Sequence, residues 1–361
     1  MLERIWKKYL RRSRVSLWSL LVPILWLASF VFRIGVARKR REIETPEKAD
    51  CPVISVGNIT VGGSGKTPLV EFIARYLLHD GIKVGIVSSG YGRSSTAPII
   101  DEGYRIQQLG AMEVGDEVAL LAHLLPSAMF SIAESKTEAA VNLGKTGAVG
   151  IIIVDDGFQH WSLHRDINIV AFDSTVKRRS LKMFPLGILR EPLRELRRAD
   201  IIIFTRVAFA RSLKKLRKRI RNIAPQSLFY EAKFRIPRLV GKADRLPTKY
   251  LEDKSVFLFA GVGNFKPLQR QVEALAADVD GVLELSDHQE YDRNLLERIK
   301  ALADDYGSDV ILTTGKDWVK LGDFDFEREI YYLAQSVDLD PGEEKLVATL
   351  QDRLGLIRQT G

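Results

Sequence analysis

Short apolar runs alternate with segments of helical periodicity along most of the 361-residue chain. In its first two thirds these runs predict buried strands at residues 51–56, 83–88, 128–132, 150–154, 167–172 and 200–205. A second series predicts strands at residues 255–260, 281–285 and 309–314. Strands that alternate with helical patterns are typical of a parallel sheet with crossover helices. We therefore expect an α/β fold with a second, smaller α/β domain.

Changes in composition suggest where the domains begin and end. We predict an N-terminal membrane-associated helix at residues 1–36 and a main α/β domain at residues 37–228. Residues 229–247 break into short extended pieces with two prolines, which predicts a linker. The smaller α/β domain is expected at residues 248–361.

The N-terminal region combines an uncharged segment with dense positive charge. Residues 15–32 carry no charged side chain, and about 18 helical residues reach roughly 27 Å, barely the thickness of the hydrocarbon core. Cations on both sides fit a helix that lies on an anionic membrane surface better than a helix that spans it. We predict monotopic attachment, with a buried core helix as the alternative. The flanking cations are Arg4, Lys7, Lys8, Arg11, Arg12, Arg14, Arg33, Arg38, Lys39, Arg40 and Arg41.

Three tryptophans and a proline refine this expectation. Trp6, Trp18 and Trp26 suit the interfacial zone of a bilayer. A kink at Pro23 would give the segment either a re-entrant or a shallow path.

The formal net charge of +8 comes largely from this N-terminal arm. Because its basic residues flank an apolar segment rather than interleave with aromatic residues, we expect an anionic membrane surface and no nucleic acid as partner. A second basic segment, residues 211–223, is interpreted as a solvated surface helix, with a lipid-facing element as the alternative. The single cysteine, Cys51, excludes an intramolecular disulfide. No obligate protein partner is evident.

A glycine-rich loop, residues 57–67, connects the first predicted strand to a predicted helix at residues 69–78. Its backbone N–H groups would converge on phosphate oxygens at the N-terminus of the helix. Lys66 would reach the β- and γ-phosphates, and the Thr67 hydroxyl would bind Mg²⁺. A nucleoside triphosphate is therefore the leading ligand, although Thr60 stands where such loops have their first glycine. We expect the first domain to be a P-loop NTPase-like α/β/α sandwich.

The sequence argues against two large classes of nucleotide-binding protein. Partition-type ATPases carry a second lysine early in the loop, where this chain has Val61. GTPases read guanine with an Asn-Lys-x-Asp run, which the sequence lacks. A small-molecule kinase remains.

Two further sequence features supply candidate carboxylates. The apolar strand at residues 150–154 leads into Asp155 and Asp156, and an acid at this point lies near the Mg²⁺ of a phosphate-binding loop. Gly115-Asp116-Glu117 precedes a predicted helix at residues 118–125, where a carboxylate either caps the helix or faces the active site.

Six motifs follow one another in a characteristic order: the glycine-rich loop, Gly115-Asp116-Glu117, and residues 155–160, 189–193, 286–288 and 312–317. Together they resemble the tetraacyldisaccharide 4′-kinase family, the lipid A 4′-kinases of Gram-negative bacteria, including its threonine at position 60. The resemblance covers nearly the whole chain and its basic N-terminus.

The resemblance implies transfer of the ATP γ-phosphate to the 4′-hydroxyl of a tetraacylated glucosamine disaccharide 1-phosphate, which forms lipid IVA. ATP and Mg²⁺ would be the cofactors. The reaction would take place at the cytoplasmic face of the inner membrane, where the protein would be held by its N-terminal segment.

The resemblance also implies roles for individual residues. Asp116 would be the general base, His288 from the second domain would pair with it, and Lys66 would act on the phosphates. Thr67, Asp155 and Asp156 would hold the metal. Nucleotide binding is implied for Thr60, Val61, Gly62, Gly63, Ser64, Gly65, Lys66 and Thr67, and substrate binding for Asn58, Tyr91, Glu117, Gln159, Arg190 and Glu191.

The chain departs from the family pattern at Ser89 and Trp161, where the family has arginines. If either family arginine contacts substrate, its role is vacant here or is filled by Arg93 or Arg165. Two rival functions remain open: a kinase for another membrane-bound sugar or lipid, and a non-catalytic, nucleotide-dependent membrane switch. A switch would not need a paired base and histidine.

Overall fold

The apolar runs of the sequence form buried strands, and the helical patterns between them form helices. The computed structural model describes residue 6 and residues 21–210, 212–263, 265–275 and 278–355. The strands are β1 (Val53–Gly57), β2 (Val84–Ser88), β3 (Ile99–Glu102), β4 (Met129–Ile132), β5 (Ile151–Asp155), β6 (Ile167–Asp173), β7 (Ile201–Thr205), β8 (Leu228–Val240), β9 (Arg245–Pro247), β10 (Ser255–Ala260), β11 (Asp278–Glu284), β12 (Val310–Thr314) and β13 (Glu329–Asp340). The helices are α1 (Val22–Arg41), α2 (Lys66–His79), α3 (Gly103–Leu109), α4 (Ala111–Val114), α5 (Asp116–Leu124), α6 (Lys136–Lys145), α7 (Leu213–Ile223), α8 (Phe265–Glu273), α9 (Arg293–Asp305), α10 (Gly315–Trp318) and α11 (Glu343–Leu354).

Contacts group the chain into two units, each built from separate stretches of sequence. Unit 1 comprises Met1–Val84, Lys136–Lys233 and Asp338–Gly361, and unit 2 comprises Gly85–Ser135 and Phe234–Val337. This grouping differs from the predicted boundaries, because residues 85–135 join the C-terminal half of the chain. The sequence does not reveal that these separate segments belong to one unit, since each segment by itself has ordinary α/β periodicity.

Unit 1 contains parallel strands in the order β5-β1-β6-β7-β8. Every position of β1, β5 and β7 is buried. Such strands are covered on both faces, which is why they read as continuous apolar runs rather than as alternating patterns. The parallel arrangement predicted from the sequence is confirmed, and the carboxyl ends of β1 and β5 lie side by side.

Unit 2 has its own parallel strands, in the order β11-β10-β12-β13. In the same unit, β2 pairs with β4 in parallel and β3 pairs with β4 antiparallel. Two apolar clusters pack on β10 and β12, one with α8 and the other with α9. The helices that carry the candidate groups of this unit, α5 and α10, contact each other.

The N-terminal segment is described from Leu21 onward, together with Trp6. Pro23 lies in the first turn of α1, where the missing N–H costs no hydrogen bond. One side of α1 packs on the loop at residues 183–185: Ser29 Oγ donates to Met183 O at 3.1 Å, and the Phe32 and Phe184 ring centroids lie 5.5 Å apart. Residues 15–20 of the predicted apolar segment, with Trp18, lie outside the described residues. Among the helices that the structure does describe, none has both the length and the apolar character to cross a membrane.

Two other predicted segments take regular structure. Strands β8 and β9 form most of the predicted linker and pair with each other antiparallel. The basic segment forms α7, whose Ile220 is buried while Leu213 and Leu216 pack against the same apolar cluster. The apolar side of α7 therefore covers the core of unit 1, in agreement with a surface helix whose basic side is solvated.

The last residue of β1 allows a test of packing in unit 1. A Cβ atom at Gly57 would lie 2.6 Å from both Cβ and the backbone nitrogen of Phe158. We expect Gly57→Ala to lower the free energy of unfolding by about 1–3 kcal/mol, because the turn that carries Phe158 must move. Urea denaturation followed by tryptophan fluorescence measures this change. The matched control is Gly150→Ala, whose new Cβ would lie 3.7 Å from Ile82 and Lys83; equal midpoints for the two variants would contradict the analysis.

Candidate active site

The glycine-rich loop turns the chain from β1 into α2. Gly62 has φ of 107° and Gly65 has φ of 82°, both in the left-handed region that favours glycine. Gly65 directly precedes Lys66, the first residue of α2. Asn58 is fully buried and its Nδ2 donates to Gly62 O at 3.2 Å and to Ser64 Oγ at 2.9 Å. Asn58, which the resemblance assigned to substrate, thus holds the inside of the loop.

Neighbouring segments hold the loop from outside. Thr60 forms an antiparallel bridge with Leu189, and Val61 N donates to Ile188 O at 2.7 Å. Because Thr60 is in a strand-like bridge and not at a left-handed turn, a side chain is tolerated where other loops have glycine. On the other side, Thr205 Oγ1 at the end of β7 donates to Ser64 O at 2.9 Å.

Two basic side chains contact the carboxylate of Asp156, which directly follows β5. Arg190 Nη1 lies 2.7 Å from Asp156 Oδ2, and Lys66 Nζ lies 3.5 Å from Oδ1. Burial raises the pKa of Asp156, but the charges of Lys66 and Arg190 outweigh this effect and lower the pKa to about 2. Asp156 also has a left-handed φ of 50°, and Lys136 Nζ donates to the carbonyl oxygens of Asp155 and Asp156 at 2.6 and 3.1 Å. Lys136 thus fixes the backbone that aims Asp156 at Lys66.

The oxygen atoms at this position suit Mg²⁺. Asp155 is 2% exposed and ends β5, and Thr67 is the second residue of α2. Asp156 Oδ1 is buried and accepts no hydrogen bond from the described residues. Mg²⁺ is usually held by one or two carboxylates, substrate phosphates and water rather than by a full protein cage. In the described part of the chain no three His, Cys, Asp or Glu residues gather into a metal cluster, and a site of this sparse kind needs none.

The side chains of Gln159 and Glu191 contact each other beside the glycine-rich loop. Gln159 Nε2 donates to Asn58 O at 2.9 Å and to Glu191 Oε1 at 3.0 Å. Glu191 is 1% exposed, burial raises its pKa, and Arg198 Nη2 donates to both of its carboxylate oxygens at 3.0 and 2.9 Å. The Arg198 guanidinium lies 4.5 Å from the Phe158 ring centroid. Both residues that the resemblance assigned to substrate are thus engaged in a buried polar network of unit 1.

In unit 2, Asp116 is the first residue of α5 and follows Gly115 at the N-cap position. His288 Nδ1 lies 3.1 Å from Asp116 Oδ2, and Lys320 Nζ lies 2.6 Å from the same oxygen. These contacts with groups outside the helix favour the alternative in which the Asp116 carboxylate faces the active site. Asp116 and His288 come together as expected, but inside one unit rather than from two domains.

Glu117 and Tyr91 extend this cluster. Lys316 Nζ donates to Glu117 Oε1 at 2.9 Å. Burial alone would lower the pKa of Lys316, but the Glu117 carboxylate outweighs burial and raises it. Tyr91 is 76% exposed and its ring centroid lies 5.5 Å from that of His288. An exposed aromatic ring beside a histidine is a surface on which a sugar ring can pack.

A buried aspartate holds the segments around this cluster. Asp317 is fully buried, and burial raises its pKa. It accepts hydrogen bonds from Tyr291 Oη at 2.8 Å, Thr314 Oγ1 at 2.6 Å and Gly261 N at 3.1 Å. These hydrogen bonds hold α10 and the chain that follows His288 to the same side chain, that of Asp317.

Arg93 and Arg165, the candidates for the roles of the two family arginines that the chain lacks, both bind backbone oxygens. Arg93 donates to Ala97 O at 2.8 Å and to Thr96 O at 2.9 Å. Arg165 donates to Gly157 O at 2.9 Å, and burial lowers its pKa to about 10. Both guanidinium groups therefore bind nearby backbone.

Sequence reasoning missed three cations of these clusters: Lys136, Arg198 and Lys320. Lys136 and Arg198 stand among ordinary helical and basic residues, with no local signal. Lys320 follows Lys316 by four residues, a spacing that places both on one side of a helical turn. This spacing was the one available indication.

His160, next to Gln159, generates a prediction about pH. Burial, with a smaller effect of Lys136, lowers the pKa of His160 to about 4 from a usual 6.5. Between these values the unfolded chain binds more protons than the folded one, so stability falls as pH decreases. Between pH 7 and pH 5, the free energy of unfolding of the wild type should fall by on the order of 1 kcal/mol more than that of His160→Gln. Urea denaturation at both pH values measures this difference. The control is His79→Gln, at an 86% exposed side chain; equal losses in wild type and His160→Gln would contradict the burial argument.

Comparisons with known proteins identify the family of the chain. The family model described as Tetraacyldisaccharide-1-P 4′-kinase matches residues 17–355. The tetraacyldisaccharide 4′-kinase of Geobacter metallireducens is 34% identical over 273 residues, which cover 75% of this chain and 79% of the relative. That of Chlorobium phaeovibrioides is 32% identical over 352 residues, which cover 93% and 98%.

A solved structure shares the fold over nearly the whole chain. The crystal structure of LpxK from Aquifex aeolicus in complex with ATP matches with a TM-score of 0.74 and 29% sequence identity, and the match covers 93% of this chain and 99% of that one. From the family match and these relatives, the chain belongs to the tetraacyldisaccharide 4′-kinase family.

Proposed function

We propose that the protein transfers the γ-phosphate of ATP to the 4′-hydroxyl of a tetraacylated glucosamine disaccharide 1-phosphate and so forms lipid IVA. The observation that carries this proposal is the Asp116–His288 contact of 3.1 Å. A hydroxyl is a poor nucleophile until a base accepts its proton, and a carboxylate oriented by a histidine is suited to that task. A nucleotide-dependent switch would have no use for such a pair.

The glycine-rich loop is the proposed site for the nucleotide. Lys66 would balance charge on the β- and γ-phosphates, with Arg190 next to it on the other oxygen of Asp156. Thr67, Asp155 and Asp156 would hold Mg²⁺, which neutralises phosphate charge when bound. The chain's own part is to aim these groups: Lys136 fixes the turn after β5, and Asn58 holds the loop.

The acceptor would be recognised by unit 2. Asp116 would take the proton of the hydroxyl, and His288 would orient the carboxylate through Oδ2. Tyr91, exposed beside His288, would pack on the sugar, and Glu117 would contribute a polar contact while paired to Lys316. We infer each of these roles from the position of the residue near Asp116 or His288.

The membrane-facing surface would be α1. Its apolar residues Ile24, Leu27, Val31 and Ile34 are between 52% and 67% exposed, while the opposite side packs on residues 183–185. Four cations, at residues 38–41, lie in its last turn. An exposed apolar stripe next to basic residues fits the interface of an anionic membrane, and we place it at the cytoplasmic face of the inner membrane.

The catalytic pair is tested with labelled ATP and the disaccharide 1-phosphate in detergent. Wild-type protein should show phosphate transfer that depends on the acceptor. Asp116→Ala and His288→Ala should each lose roughly 100-fold or more in kcat, and the double variant should lose little more than the worse single variant, because the two act as a unit.

The control for this cycle is His79→Ala, a change at an exposed histidine of unit 1. Independent, multiplicative losses would show that Asp116 and His288 do not cooperate. ATP hydrolysis without any transfer to the disaccharide would support the membrane switch instead.

Membrane attachment is tested on the exposed stripe of α1. Leu27→Glu with Val31→Glu should reduce sedimentation with anionic liposomes, because two charges replace apolar side chains that are 58% and 61% exposed. Turnover of a short-chain acceptor in detergent should stay near that of the wild type. The matched control is Ile100→Glu, a 39% exposed isoleucine of unit 2; unchanged sedimentation of the α1 variant would refute the assignment.

A further inference from the structure

One oxygen of the proposed base has two partners. Lys320 Nζ lies 2.6 Å from Asp116 Oδ2, closer than His288 Nδ1 at 3.1 Å. Neither contact uses Oδ1. The Lys320 side chain is 8% exposed, so the pair is largely shielded from solvent screening.

Lys320 also holds the segment that carries the histidine. Its ammonium group donates to Gln289 O at 3.2 Å, one residue beyond His288, and lies 5.5 Å from the Tyr291 ring centroid. Tyr291 in turn donates a hydrogen bond to Asp317 of α10, which lies three residues before Lys320 in the chain. One cation therefore connects Asp116 on α5 with the turn around His288, whose backbone has a left-handed φ of 59°.

We propose that Lys320 is the positioning residue of the general base: it holds Asp116 through Oδ2, directs Oδ1 to the acceptor hydroxyl and keeps His288 in reach. This inference rests on the proposed function. A lysine this close attracts the negatively charged carboxylate, which is the form that accepts a proton. His288 alone would lose that help wherever its ring is neutral.

Other charged groups face Asp116 without contacting it. Lys316 from α10 is paired to Glu117, and Tyr291 and Asp287 lie on the His288 segment. Lys316 lies four residues before Lys320 and binds the neighbouring carboxylate, Glu117, rather than Asp116. Lys320 is thus distinguished from Lys316 by its partner and by its deeper burial.

The test compares Lys320→Met, Lys320→Arg and a matched control in the full chain, with ATP and a detergent-soluble disaccharide 1-phosphate. Lys320→Met should lose roughly 10- to 100-fold in kcat with little change in the KM for ATP. The acidic limb of its pH–rate profile should move to higher pH, because the cation beside the carboxylate is gone. Lys320→Arg should recover much of kcat and the wild-type position of that limb.

The control is Lys300→Met, which removes the lysine of the Lys300–Glu327 pair in the same unit and should keep wild-type turnover and pH profile. The inference is overturned if Lys320→Met keeps the wild-type kcat and profile, or if Lys320→Arg shows the same loss and the same profile as Lys320→Met. Thermal melting of all variants separates lost folding from lost positioning. A wild type that transfers no phosphate to the disaccharide would overturn the proposed function itself.

Discussion

The close approach between the end of β1 and the turn after β5 is the constraint on which the nucleotide cluster depends. Gly57 packs against Phe158 with no room for a side chain. This contact sets the position of the turn that begins at Asp156, whose left-handed backbone is held by Lys136. Only with the turn in this place does the Asp156 carboxylate reach both Lys66 and Arg190.

Both units hold their carboxylates with cationic side chains. In unit 1 Arg198 binds both oxygens of buried Glu191. In unit 2 Lys316 and Lys320, one helical turn apart, bind the consecutive acids Glu117 and Asp116. Removing one member of such a pair leaves a charge with poor solvation, so these contacts restrain side chains strongly. Orientation of reactive groups by fixed ionic partners is a requirement of phosphate transfer, whose catalysis consists mainly of positioning and electrostatics.

Local features of the sequence were sufficient for the fold class and for the glycine-rich loop. Buried parallel strands read as apolar runs because both faces are covered, and β10 begins and ends as predicted. Strand β3 was missed, since its alternating burial over a short length resembles a loop. The effect of Pro23 depends on where its helix begins, because proline in a first helical turn costs no hydrogen bond.

The sequence by itself determined which short-range chemistry was available: a loop for phosphates, a strand that ends in carboxylates, and an apolar segment between cations. These depend on neighbours in the chain, and periodicity and residue type record them directly. Tertiary structure decided which distant groups meet. Asp116 and His288 are 172 positions apart, and the four-residue spacing from Lys316 to Lys320 does not tell which carboxylate each lysine binds. Such contacts arise from packing between elements, and a single sequence carries no signal of which buried cation will reach which carboxylate.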